Sequence, residues 1–107
     1  MIFIPQLKHP KILSNYEKDL IINSMLERFN GFILSKKNIK PFEIKKYKRL
    51  LAYHLIIQCR FKVCVVSKII RVNKYRKKDF IIFRYNNIEK YEELCSYLKE
   101  YFQLLQP

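Results

Sequence analysis

The chain has 107 residues, half of them hydrophobic, and carries 22 Lys and Arg against 9 Asp and Glu, a formal net charge of +13. That length fits one domain, and eight Phe, eight Tyr and fifteen Ile exclude an intrinsically disordered chain, which is poor in such residues. No apolar run exceeds four residues, which excludes a membrane span.

Residues 1–13 contain Pro5 and Pro10 and no helical period, so they read as an extended N-terminal arm anchored by Phe3 and Ile4. Residues 14–107 read as a single domain. Ser14 and Glu17 have capping-box spacing and predict a helix start, with Asp19 near the positive end of its dipole. Ile22, Leu26 and Phe29, with Ile21 and Met25 beside them, recur at helical spacing. Asn30-Gly31 is expected to end this helix, the glycine in a left-handed position. Phe32-Ile33-Leu34 then reads as a short strand.

Pro41 at a first helical position, with Glu43 after it, predicts a second helix whose inner stripe is Tyr47, Leu50, Leu51, His54 and Leu55. From Phe61 the Val- and Ile-rich run through Val72 alternates and predicts a long strand, bent near Ser67-Lys68. Asn73 to Lys78 is a basic tip, and Asp79 to Tyr85 a return strand, which together predict a β-hairpin. Asn86-Asn87 is expected to cap a last helix with the stripe Ile88, Tyr91, Leu94, Cys95, Leu98, Phe102 and Leu105. The expected fold is therefore α+β, three helices on a small antiparallel sheet containing the basic hairpin.

Sixteen of the basic residues lie in residues 36–84, where the only acids are Glu43 and Asp79. Localised positive charge interleaved with Tyr and Phe is the footprint of a polyanion-binding surface. The candidate contacts form three clusters. The first is Lys36, Lys37, Lys45, Lys46, Lys48 and Arg49; the second Arg60, Lys62, Lys68 and Arg71; the third Lys74, Tyr75, Arg76, Lys77, Lys78 and Arg84. Their lysines and arginines would neutralise phosphates and release counterions. Tyr47, Tyr53, Tyr75 and Tyr85 are candidate platforms for unpaired bases, Tyr75 foremost.

The sequence carries no nucleotide loop, nucleophile elbow or HExxH, and no cofactor motif. His54 on an apolar stripe reads as a core histidine and His9 as part of the arm. Glu92 and Glu93 are neighbours on a helix and point apart, so they serve the dipole better than an acid–base pair. Cys59, Cys64 and Cys95 lack zinc-ligand spacing and read as buried thiols of a reducing, intracellular compartment. No enzyme is expected. Helix-turn-helix, zinc-finger, basic-zipper and RNP patterns are also lacking.

Small size, basicity, a Pro-containing arm and a basic hairpin resemble ribosomal proteins in general style. The likeness implies an rRNA-binding structural role beside neighbouring proteins of a ribonucleoprotein particle. Phe, Tyr, Ile, Asn and Lys are abundant while Ala and Gly occur once each, a codon bias of AT-rich genomes, including mitochondria and other organelles.

A second resemblance concerns Leu20 to Leu34, which is similar to the signature helix of LAGLIDADG homing endonucleases running through a Gly into a strand. That family's metal-binding acid precedes the Gly, where this chain has Asn30, and Met25 and Leu26 replace its small contact residues. The resemblance implies a non-cleaving relative that binds nucleic acid. The alternative function is thus a DNA-binding module, such as a regulator or this LAGLIDADG-like relative. A further alternative is a basic accessory subunit of an organellar membrane or protein complex.

Overall fold

The computed structural model describes residues 14–105, all of whose regular structure is helical. In order these are α1 (Asn15–Ser35), α2 (Pro41–Tyr53) running into a π-helical turn (His54–Gln58), α3 (Val63–Ile70), α4 (Lys77–Asn86) and α5 (Ile88–Leu105). The expected α+β fold is corrected: no strand or sheet occurs among the described residues. The arm expected at residues 1–13 lies outside them.

α1 begins as its sequence dictates. The Glu17 N–H donates to Ser14 Oγ and the Ser14 N–H to Glu17 Oε1, each at 3.1 Å, a complete capping box. Its stripe of Ile21, Ile22, Met25 and Phe29 is buried. The helix does not stop at Gly31 but runs through it to Ser35, so the residues expected as a strand form its last turn. Gly31 has no positive φ. A Cβ there would meet Tyr97 Oη of α5 at 3.4 Å, so the glycine lies where α5 comes close. The strand that the LAGLIDADG resemblance requires after the glycine is therefore absent.

α2 is the hub, packing on α4, α5 and α3, while α1 packs on α3 and α5. Pro41 occupies its first turn as expected, and Tyr47, Leu50, Leu51, His54 and Leu55 are all buried. Seven consecutive residues, Leu50 to Ile56, are buried, which one stripe of an ordinary α-helix does not allow. The π-helical turn, closed by Cys59 N–H to His54 C=O at 3.1 Å, accommodates the wider inward face.

The predicted hairpin is the largest correction. Residues 63–70 satisfy two periods at once: Val63 and Val65 alternate, but Val63, Val66, Ser67 and Ile70 also share one helical face. Burial of Val66, Ser67 and Ile70 selects the helix. Intrinsic β preference of Val and Ile, worth at most about 1 kcal/mol per residue, loses to that packing. In residues 77–86 the same happens around Phe80, which is fully buried and packs edge-on to Tyr75 with ring centroids 5.5 Å apart. Helix formation leaves Ile81, Ile82 and Tyr85 in solvent.

Asn87 closes α4: its side-chain amide donates to Phe83 C=O at 2.8 Å, and α5 follows directly. Of the α5 stripe, Tyr91, Leu94 and Leu98 are buried, Cys95 is half-buried and Ile88 is exposed. Phe102 and Leu105 lie beyond the described side chains.

Candidate nucleic-acid interface

The basic residues separate into two populations. The first is tied into the protein. Lys36 forms an ion pair with Glu93 and lies 5.4 Å from the ring centres of Phe32 and Tyr47. Tyr47 Oη donates to the same carboxylate at 2.5 Å. Burial acts to raise the Glu93 pKa, but the hydrogen bonds from Lys36 and Tyr47 outweigh it and hold the carboxyl below its usual value. Arg49 is clamped between the rings of Tyr75 and Phe83, at 4.4 and 4.5 Å, and donates to Tyr75 Oη at 2.6 Å. Arg84 lies 5.1 Å from the Tyr91 ring centre and 5.9 Å from that of Tyr53. Lys46 Nζ lies over the Phe42 ring at 5.8 Å, and Lys48 is half-buried.

The second population is solvent-exposed: Lys37, Lys45, Lys62, Lys68, Arg71, Lys74, Arg76, Lys77 and Lys78, together with Arg60, which is exposed and also engaged within the protein. Arg60, Lys62, Lys68 and Lys74 line a half-open groove of about 1240 Å³ between the start of α1 and α3. Lys18 of α1 completes a set of five cations, against the single acid Asp19. The chain's fold around α3 creates this groove. Arg60 turns the chain at φ 63° after the π-helical turn, and buried Phe61 anchors it, its N–H donating to Leu55 C=O at 3.0 Å. Arg71 ends α3 at φ 63°, ψ 54°. Left-handed geometry costs a side-chain-bearing residue roughly 1–2 kcal/mol, so both turns are held by their surroundings.

Of the four tyrosine candidates, Tyr47 and Tyr53 are core residues and Tyr75 is half-buried in the Arg49 clamp. Tyr85, 75% exposed on α4, offers an open ring. Lys18 went unnoticed in the sequence because it stands between Glu17 and Asp19, outside the basic half. Only the packing of α1 on α3 turns it toward the groove.

Other chemistry is thin. His54 is buried with Nδ1 2.8 Å from Tyr91 Oη, and burial lowers its pKa to about 4. It is the core histidine that the stripe predicts. Cys59 is buried and its thiol pushed up to about 12, whereas Cys64 is exposed in the groove and Cys95 half-buried, which corrects the expectation of three buried thiols. Among the described residues, no three His, Cys, Asp or Glu side chains cluster as metal ligands. No helix among them is long and apolar enough to cross a membrane. No protein-family model, curated protein or solved structure matches the chain.

Proposed function

We propose that this chain is a structural RNA-binding protein, an rRNA-binding component of a ribonucleoprotein particle of the ribosomal kind. The observation that carries the reading is the groove between α1 and α3, where five cations face one acid. A phosphate backbone lying there would exchange its counterions for Lys18, Lys62, Lys68 and Lys74, gaining affinity that does not depend on sequence. Lys77 and Lys78, exposed at the start of α4 three residues after Lys74, extend the same charge along the chain. The all-helical core behind them fits a role in which the protein fills and neutralises an RNA cleft.

The test is purification of the native protein at moderate salt. It is expected to sediment with ribosomal particles and to arrive bound to RNA; absence from such particles would sink the ribosomal assignment. Replacing Lys18, Lys62, Lys68 and Lys74 with Gln should lower the slope of log affinity against log salt by about 3, at roughly 0.7 per single-strand phosphate contact. An unchanged slope would place the phosphates elsewhere.

One observation favours a second reading, a duplex-DNA module. α3 and α4 are consecutive helices joined by residues 71–76, and α4 presents Lys78, Ile81, Ile82 and Tyr85 outward. A lone helix of this kind fits a major groove about 12 Å wide. Tighter binding to one duplex sequence than to structured RNA would select it.

A further inference from the structure

The groove is not lined by charge alone. Val65, Ile69 and Val72 are half-buried within it, and the cations Lys62, Lys68 and Lys74 stand exposed around them. A deeper apolar surface with a basic margin is the wrong shape of chemistry for a double helix. A duplex keeps its bases stacked inside and turns sugar and phosphate outward, so it would press charged groups against Val65 and Ile69. An extended strand carries both components side by side: phosphates along one edge and unstacked base faces, which are largely apolar, along the other. The volume of about 1240 Å³ exceeds the roughly 300–1,000 Å³ of small-ligand sites, enough for more than one nucleotide.

We infer that the α1–α3 groove binds single-stranded nucleic acid, phosphates on its lysines and unpaired bases against Val65, Ile69 and Val72. The inference rests on the nucleic-acid reading above and narrows it from any phosphate backbone to unpaired segments. Charge alone predicts the opposite preference, because a duplex has the denser phosphate array. A preference for the strand therefore reports the apolar surface.

The fold supplies its own probe, Cys64, exposed in the groove on α3. Cys59 is buried with its thiol pushed up to about 12, and serves as the unreactive reference. The full-length protein is treated with iodoacetamide, and the modified cysteine is located by mass spectrometry. This is done free, with oligouridylate, with an RNA duplex of the same phosphate count, and with phosphatidylglycerol vesicles. Bound oligouridylate is expected to slow alkylation of Cys64 about tenfold, and to bind about tenfold more tightly than the duplex at physiological ionic strength. Val65→Thr, which keeps the side-chain shape, should weaken strand binding about threefold and leave duplex binding unchanged. Duplex binding as tight as the strand's, or Cys64 still reactive with the strand bound, overturns the single-strand assignment and leaves the nucleic-acid reading standing. If neither nucleic acid binds, both fall. Protection of Cys64 by the vesicles and not by the strand assigns the groove to anionic lipid instead.

Discussion

The helices on the two sides of the groove are finished in opposite ways. α1 opens on Ser14, whose hydroxyl and whose partner Glu17 satisfy two backbone donors and place negative charge at the positive end of the dipole. α3 opens on Lys62, with no side-chain cap, and closes on Arg71 in left-handed geometry. Lys40 before α2 and Arg76 before α4 also lack a side-chain cap, but Glu43 and Asp79 place an acid in the first turn of each, which α3 lacks. A cation at a helix start repels the dipole and accepts no hydrogen bond from the first-turn N–H groups, and α3 alone has neither a cap nor a first-turn acid to offset this. The acidic, capped side is built for stability. On the basic side, stability has been exchanged for charge that faces outward.

The strongest way to break that comparison is through the stability side, at His54. Its neutral form is favoured in the folded protein, with a pKa near 4 against 6.5 for the ordinary group. The unfolded chain therefore binds the extra proton between those values, and stability falls as pH drops from about 6.5 to about 4. The loss should approach about 3 kcal/mol in urea melts. His54→Gln should flatten this dependence.

Next in size is the clamp. Arg49→Ala removes two ring contacts and the hydrogen bond to Tyr75, and should cost about 2 kcal/mol of stability. It should leave the salt slope of RNA binding unchanged. Lys74→Ala should do the reverse, with stability within about 0.5 kcal/mol and a slope lower by about 0.7. If the two variants behave alike, the division of the basic residues into internal and outward sets is wrong.

Lys62→Ser sharpens the comparison of helix starts. It should raise stability by about 1 kcal/mol in thermal melts while weakening RNA binding, since it supplies a cap and deletes a groove cation. The smallest effect is expected at Gly31. Alanine there meets Tyr97 Oη at ordinary contact distance and should stabilise α1 by about 0.5–1 kcal/mol, read from the same melts.

The parts of the fold legible in the sequence were those with local chemical signals. The Ser14–Glu17 box, Pro41 and the stripe from Tyr47 to Leu55 each point to one structure. Residues 61–85 do not, because Val- and Ile-rich runs satisfy strand and helix periods together. The choice between them is made by packing on α1 and α2, outside the segment itself, through burial of Val66, Ile70 and Phe80. Gly31 misled for a simpler reason: a glycine carried inside a helix looks the same in sequence as one that ends it, and here it has no positive φ and α1 runs on to Ser35. The candidate site was legible as charge but not as geometry. Arg49, Tyr75 and Arg84 are indistinguishable in sequence from Lys62 and Lys74, and only packing shows that aromatic rings hold them. Lys18 could be found only by bringing α1 against α3.

The π-helical turn at His54–Gln58 has a consequence for how this surface could arise or be lost. Such a turn holds one residue more than the α-helical path it replaces, so it behaves as an insertion absorbed without breaking the helix. Deleting a single residue from it would rotate everything downstream by about 100° relative to α2. Phe61 would leave its pocket, and Arg60 and Lys62 would swing off the groove margin, although no groove residue had been changed. The phase of one helix thus fixes the direction in which the basic half of the chain faces.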